Sequence, residues 1–280
     1  MKTPALLFTL LLALGAAAPA RAQFNLDLNR IINTVKNAGQ ALKEIDEPEE
    51  IRIGRDMAAR LLGAAPLADD ARLQRYVNNV GRWLASQTER PDLPWHFGVM
   101  DAPQLNAFAV PGGTIFVTRG LVARMKNESE LAGVLAHEIA HVLRKHHLKA
   151  IQKGAQTALA GEALSTALKS GDSAAREKLI SFGTEMYTRG LDKDDELEAD
   201  RLGVVIAARA GYDAYGLPSV LQTLQSMNAE DSSLALMFKT HPAPGARLDA
   251  LGARMQPTLD RYAGQPQVAQ RFLSETQAIR

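Results

Sequence analysis

Residues 133–143 read Gly-Val-Leu-Ala-His-Glu-Ile-Ala-His-Val-Leu, a His-Glu-x-x-His pattern set in an apolar run. Residues four apart share one face of a helix, so His137 and His141 can direct both imidazoles at one metal ion. Glu138 follows the first histidine and can reach a water bound to that metal. A chance match is the alternative, but the chain has only six histidines, and two buried histidines without a partner would be costly. The pattern therefore predicts a buried helix with two zinc ligands and a general base.

A second, acidic stretch can supply the third ligand. Residues 194–203 read Asp-Asp-Glu-Leu-Glu-Ala-Asp-Arg-Leu-Gly and lead into an apolar helical run. Glu196 and Asp200 share a helical face, so Glu196 can bind the metal while Asp200 accepts the second N–H of a ligating histidine. Taken alone, the stretch is more typical of a solvated acidic helix start, and the upstream motif is what favours the ligand role. Glu198 points off that face and is expected to be exposed.

Apolar periodicity and turn residues predict a mainly α fold with a small β-sheet, an α+β arrangement. Strands are predicted at 95–100, 107–110 and 114–118, and helices at 49–62, 69–86, 128–151, 195–210, 214–227, 246–255 and 267–278. An edge strand beside the metal helix can pair with an extended peptide through main-chain hydrogen bonds. The candidates for that edge are Asn106–Val110, with Ala107, Phe108 and Ala109, and Thr114–Val117. Both segments can equally be ordinary core strands.

The N-terminus predicts secretion. Lys2, a short apolar run at 6–14 and the small-x-small sequence Ala20-Arg21-Ala22 predict a secretory signal peptide cleaved after Ala22, with an uncleaved anchor as the alternative. The chain then divides into a signal peptide (1–22), a mature N-terminal segment (23–46) and one catalytic domain with C-terminal helices (47–280). A periplasmic location suits a chain that contains no cysteine.

Composition narrows the possible partners. Removing residues 1–22 takes Lys2 and Arg21 from the 32 basic residues, so 30 basic residues face 31 acidic ones, a net charge of −1. A basic stripe typical of nucleic-acid binding is absent, the mature sequence lacks an apolar run long enough for a transmembrane helix, and no helical repeat array follows the domain. The Ala-rich segment 152–190 can form a lid over the site or pack closely as helices.

Two further motifs complete a family resemblance. Residues 106–121 read Asn-Ala-Phe-Ala-Val-Pro-Gly-Gly-Thr-Ile-Phe-Val-Thr-Arg-Gly-Leu, and His241-Pro-x-Pro-x-x-Arg247 lies downstream. With the His-Glu-x-x-His helix and Glu196-x-x-Ala-Asp200, these segments resemble the M48 family of zinc metallopeptidases, in its soluble periplasmic branch, over residues 45–255. The resemblance implies a zincin-like (gluzincin) fold with one Zn²⁺ per chain. Thr188-Arg189 stands further from Glu196 than the Ser-Arg of many relatives.

Four residues near these motifs keep alternative roles. The resemblance implies that His241 either donates a hydrogen bond to the oxyanion or fills a fourth zinc position and keeps the enzyme latent, whereas a surface loop is the ordinary expectation for a histidine before a Pro-rich turn. Arg247 can pair with an acidic group near the site or cap a helix. His146 and His147 are interpreted as a solvated basic helix end, with a metal role as the alternative.

These features predict a zinc endopeptidase. Zinc held by His137, His141 and Glu196 would activate a water, and Glu138 would take its proton and later deliver one to the leaving amine. The expected substrates are misfolded or stalled envelope proteins, and the resemblance further implies the outer-membrane assembly machinery as a partner. The alternative is a latent, chaperone-like binding factor; the intact Glu138 favours the enzyme, and the absence of cysteine disfavours a purely structural zinc.

Overall fold

A computed structural model describes residues 45–158, 190–228 and 231–279. The fold is mainly helical with a small three-stranded mixed sheet, in agreement with the predicted class. Its elements, numbered in chain order, are α1 (Glu47–Ala64), α2 (Ala71–Ala85), β1 (His96–Met100), β2 (Ala107–Val110), β3 (Thr114–Thr118), α3 (Arg119–Arg124), α4 (Glu128–Leu143), α5 (His146–Ala158), α6 (Lys193–Arg209), α7 (Gly216–Gln225), α8 (Ala235–Thr240), α9 (Pro244–Leu259) and α10 (Ala269–Glu275).

The sheet has the strand order β1-β3-β2, with β1 parallel and β2 antiparallel to β3. Gly112 (φ +78°) and Gly113 (φ +99°) form the turn between β2 and β3 in the left-handed region, which glycine adopts without strain. Because β3 lies in the centre, the prediction that Thr114–Val117 can be an edge strand is wrong. The strand β2 is an edge of the described sheet and packs against α4.

Helix α4 occupies the centre of the molecule, and every residue from Glu128 to Leu143 is buried. The side chain of Asn127 caps its start by accepting a hydrogen bond from the backbone N–H of Glu130 (3.0 Å). Leu131, Leu135 and Ile139 are fully buried, and each contributes roughly 1.5–3 kcal/mol through removal of apolar surface from water.

Helix α4 is shorter than the helix predicted at 128–151. It ends at Leu143, and Lys145 adopts a left-handed backbone conformation (φ +56°) before α5 begins at His146. The predicted continuous helix 128–151 is therefore wrong, because Lys145 lies outside the right-handed α region and interrupts the helix. The Nζ atom of Lys145 lies 2.9 Å from the buried carboxylate of Glu50, which ties this break to α1.

Glycines bring neighbouring helices against the backbone of α4, as the contacts of Gly203 and Gly133 show. A Cβ added at Gly203 of α6 would lie 2.8 Å from the backbone nitrogen of His137. A Cβ at Gly133 of α4 would lie 2.5 Å from the backbone nitrogen of Leu217 in α7. Real side chains do not approach this closely, so α4 meets both neighbours at main-chain distance.

Several predictions fall on residues outside the described ranges. The predicted signal peptide (1–22), nearly all of the mature segment 23–46 and most of the predicted lid 152–190 belong to this group. Among the described residues, no helix combines the length and apolar character needed to cross a membrane.

Candidate metal centre

Four side chains converge at the centre of the fold, two from α4, one from α6 and one from the residue that caps the end of α8. The Nε2 atoms of His137 and His141 lie 3.1 Å apart on one face of α4. The carboxylate of Glu196 on α6 lies 3.8 Å from His137 Nε2 and 3.5 Å from His141 Nε2. His241, at the end of α8, places its Nε2 3.8 Å from the same carboxylate. The structure thus brings together the three predicted ligands and His241.

The local sequence explains this convergence. The i, i+4 spacing aligns His137 with His141 on α4, and the same spacing aligns Glu196 with Asp200 on α6. Gly203 lies one turn beyond Asp200, at the point where α6 touches the backbone of His137. The missing side chain at this crossing lets two carboxylates reach the histidines.

The chemistry of the donor set fits a zinc ion. Both carboxylate oxygens of Glu196 are buried with no hydrogen-bond partner among the described residues, and burial raises the pKa of this carboxyl to about 8. A buried carboxylate without partners is costly, and a cation between it and the two imidazoles removes that cost. Burial also lowers the pKa values of His137 and His141, which favours the neutral form that binds a metal. Two histidines and one glutamate are a donor set of catalytic zinc sites.

His137 is held from behind by a buried ion pair. Its Nδ1 lies 3.0 Å from Asp200, and the Nε of Arg247 on α9 donates to the same carboxylate at 2.9 Å. Burial alone would raise the pKa of Asp200, but the charge of Arg247 and its hydrogen bonds hold that pKa well below its usual range. Of the two alternatives for Arg247, the structure therefore shows pairing with an acidic group near the site. Arg189 lies outside the described residues.

Glu138 faces the cleft between α4 and the edge strand. The side chain is 3% exposed, and the backbone N–H of Ala109 on β2 donates to its carboxylate. Burial raises the pKa of Glu138 to about 8, against the opposing effects of Arg247 and of this hydrogen bond. A carboxyl with a raised pKa beside metal ligands suits proton transfer.

Two cavities adjoin Glu138. The first is lined by His137, Glu138, His241, Arg247 and a group of apolar side chains: Leu121, Val134, Leu217, Val220, Leu221, Leu224 and Met237. The second is more polar and includes His147 and Glu196. Asn106 lines both cavities, and its buried Nδ2 has no partner among the residues that the structure describes.

His146 is the site residue that the sequence interpretation missed. It is 1% exposed, and its Nδ1 lies 3.0 Å from the Nδ1 of His141. The predicted solvated helix end is therefore wrong for His146, which the break at Lys145 places beside the site. It is also wrong for His147, whose ring centroid lies 5.3 Å from that of His141 and which lines the second cavity. Glu198 is 43% exposed at its side chain, as expected for a residue off the ligand face, yet it contacts His146 Nε2 at 3.3 Å.

Comparison with known proteins identifies the peptidase family to which the chain belongs. Peptidase family M48 matches residues 71–255, and the chain belongs to this family of zinc metallopeptidases. It is 31% identical to the beta-barrel assembly-enhancing protease of Yersinia pestis over 249 residues, which cover 87% of this chain and 51% of the relative. It is 27% identical to the metalloprotease LoiP of Escherichia coli, over 88% of this chain and 96% of the relative.

A mitochondrial relative shows how widely the similarity extends. The metalloendopeptidase OMA1 of Schizosaccharomyces pombe is 32% identical over 180 residues, which cover 62% of this chain and 50% of that protein. The chain spans about half the length of the beta-barrel assembly-enhancing proteases that it matches.

Proposed function

We propose that this protein is a zinc-dependent endopeptidase that hydrolyses misfolded or stalled proteins of the cell envelope. The observation that carries the proposal is the position of Glu138, buried beside His137, His141 and Glu196 and facing a cavity next to an edge strand. A purely structural metal site does not need this carboxylate. The names of the relatives support the proteolytic class.

The residues divide the chemistry among them. When bound by His137, His141 and Glu196, zinc supplies a Lewis acid and lowers the pKa of a coordinated water. Glu138 takes a proton from the attacking water and later delivers one to the leaving amine. Asp200 keeps His137 in the tautomer that binds through Nε2, and Arg247 fixes Asp200.

The cleft favours an extended polypeptide as substrate. The edge strand β2 lies beside Glu138, and we propose that Asn106, Ala107, Phe108 and Ala109 bind substrate there in an extended conformation. The buried Nδ2 of Asn106, which has no partner within the described part of the chain, can donate to a substrate carbonyl. The apolar cavity next to His137 suits an aliphatic side chain beside the scissile bond.

We also propose a compartment and partners for the protein, supported by its sequence and its relatives. The signal-peptide pattern at 1–22 supports secretion to the periplasm. The beta-barrel assembly-enhancing proteases support a role at the outer-membrane assembly machinery, with misassembled proteins as substrates. We propose protein partners of this kind and no nucleic-acid partner.

A comparison of wild type with Glu138→Gln tests the proteolytic proposal. The substrate is unfolded casein, zinc content is measured on both proteins, and Glu89→Gln, a change at an exposed carboxylate, serves as control. We expect equal zinc in all three proteins and cleavage by wild type and Glu89→Gln alone. Zinc-loaded wild type that does not cleave casein would contradict the proposal as stated and favour the latent alternative.

His241 distinguishes the active enzyme from a latent, chaperone-like factor. The Nε2 atom of His241 lies in the same cluster of ligand atoms as Glu196 and the two histidines of α4. If His241 is a fourth zinc ligand, this arrangement favours the latent, chaperone-like factor. In that case, His241→Ala raises casein cleavage. If His241 instead donates a hydrogen bond to the oxyanion, the same variant lowers kcat by about 10²–10³-fold with unchanged zinc content.

A further inference from the structure

A chain of three polar groups runs from the ligand cluster to the protein surface. His141 Nδ1 lies 3.0 Å from His146 Nδ1, and the two rings meet edge to face with centroids 5.1 Å apart. On its other side, His146 Nε2 lies 3.3 Å from Glu198 and 3.5 Å from Asp195. None of the three residues His146, Glu198 and Asp195 is a predicted metal ligand.

The hydrogen-bonding capacity of imidazole fixes the direction of this chain. His141 presents Nε2 to His137 and Glu196, so Nε2 must carry the lone pair for the metal and Nδ1 must carry the proton. That proton is donated to His146 Nδ1, which must therefore be the unprotonated nitrogen of His146. The remaining N–H of His146, on Nε2, points to the carboxylates of Glu198 and Asp195.

The backbone break at Lys145 makes the contact possible. In a continuous helix, positions five apart differ by about 140° in direction, so His146 would point away from His141. The left-handed Lys145 interrupts the helix, and His146, the first residue of the next helix, lies against His141 instead. This conformation is unfavourable for a residue other than glycine, and the ion pair of Lys145 with Glu50 helps to hold it there.

We propose that His146 is a positioning residue for the zinc ligand His141: its Nδ1 fixes the tautomer and ring orientation of His141, and Glu198 with Asp195 orients His146 in turn. This inference rests on the proposed metal site but not on proteolysis. A separate cation site at His146, Asp195 and Glu198 is the competing interpretation of the same cluster. The hydrogen-bond distance to His141 and the pairing of Glu198 with Arg144 at 3.1 Å favour the positioning role.

Three substitutions at one position test the proposal. Asn places a side-chain oxygen near the site of the histidine Nδ1, Gln places the same amide one bond further out, and Leu removes the acceptor. We expect His146→Leu and His146→Gln to weaken zinc binding by about 10–100-fold, the range typical of lost ligand partners. His146→Asn should restore affinity to near the wild-type value, and His96→Leu, at an exposed histidine of β1, should leave it unchanged.

The readouts separate positioning from a general loss of structure. Zinc affinity is measured on the full chain by competition with a chelator, and the absorption spectrum of the cobalt-substituted protein reports the geometry of the ligand set. Equal affinity and equal spectra in His146→Leu and wild type would overturn the proposal. A second zinc equivalent bound by wild type and lost in His146→Leu would overturn it in favour of the separate cation site.

Failure of the metal site itself would give a different result. If wild type binds no zinc stoichiometrically, or if His137→Ala binds it as tightly as wild type, the proposed site is wrong and the inference fails with it. Should His146→Leu not fold, the pair Asp195→Asn and Glu198→Gln tests the outer end of the chain with His146 in place. A loss of zinc affinity of a few fold supports the proposal, and an unchanged affinity and cobalt spectrum overturns it.

Discussion

The two histidines of α4 are supported in different ways although they lie one helical turn apart. Behind His137 stand a buried carboxylate and a buried guanidinium, Asp200 at 0% and Arg247 at 5% exposure. Behind His141 stands the neutral ring of His146, whose carboxylate partner Glu198 is 43% exposed and also pairs with Arg144. We call these two sets the supports of the histidines. The support of His137, Asp200 with Arg247, is charged and enclosed, whereas the support of His141, His146 with Glu198, extends from the core to solvent.

This difference separates two physical tasks. The enclosed pair of Asp200 and Arg247 links α6 to α9, so it contributes to the stability of the fold as well as to the orientation of His137. The support of His141 contains only one buried polar group and ends in a solvated ion pair, so its removal should affect the metal more than the fold. The predictions that follow test this separation.

The largest effect is expected from Arg247→Leu. This change leaves the Asp200 carboxylate buried without its cation, and breaking such a pair typically costs about 3–5 kcal/mol of unfolding free energy. The measurement is urea unfolding of the metal-free protein. The double variant Arg247→Leu with Asp200→Leu should recover part of the loss, and a single variant that loses less than 1 kcal/mol would contradict an enclosed charged support.

Removal of the metal should have the second-largest effect on the free energy of unfolding. Zinc at a free concentration 100 times its Kd should stabilise wild type by about 2.7 kcal/mol relative to the chelated protein, because it binds only the folded ligand set. In Asp200→Asn, each tenfold increase in Kd reduces this stabilisation at the same free zinc by about 1.4 kcal/mol. Thermal unfolding with and without chelator measures both values, and equal melting temperatures in wild type would exclude a bound stabilising metal.

Salt should distinguish the two supports. The Debye length falls from about 30 Å at 0.01 M to about 3 Å at 1 M ionic strength, so an exposed carboxylate is screened much more than a buried one. We expect the effect of Glu198→Gln on zinc affinity to shrink at 1 M salt, and the effect of Asp200→Asn to persist. Equal salt dependence of the two variants would remove the distinction between an enclosed and an open support.

The smallest effect is expected from Arg144→Ala. Arg144 and Glu198 are each 43% exposed, and exposed pairs of this kind contribute about 0.2–1 kcal/mol. The free energy of unfolding, measured with urea, should therefore change by less than about 1 kcal/mol, and zinc affinity should stay close to that of wild type. A loss as large as that of Arg247→Leu would show that the outer end of the His141 support is structural.

Much of the ligand geometry was accessible from the sequence because it depends on local spacing. The i, i+4 pairs fix which side chains share a face, and the Pro111-Gly112-Gly113 turn predicts β2 and β3 with their observed bounds. Proximity of His241 to Glu196 was accessible only through the family resemblance, since the two residues are far apart in sequence.

Other features depend on the tertiary structure and could not be read from spacing. Lys145 is not a residue that marks a helix end, and its left-handed conformation is held by the remote carboxylate of Glu50. The interpretation of His146 as part of a solvated helix end is consequently wrong. The central position of β3 likewise depends on its parallel pairing with β1, a long-range contact that the alternation within each strand does not encode.

The main-chain contacts of α4 have a consequence for sequence divergence. At Gly203 and Gly133, backbone meets backbone, so no side chain sets the spacing between the ligand helix and its neighbours α6 and α7. Exposed positions on α6 and α7 can therefore change over evolution without shifting Glu196 relative to His137 and His141. Tolerance ends at Gly203, where a single methyl group would separate Glu196 from the two histidines although it alters no ligand.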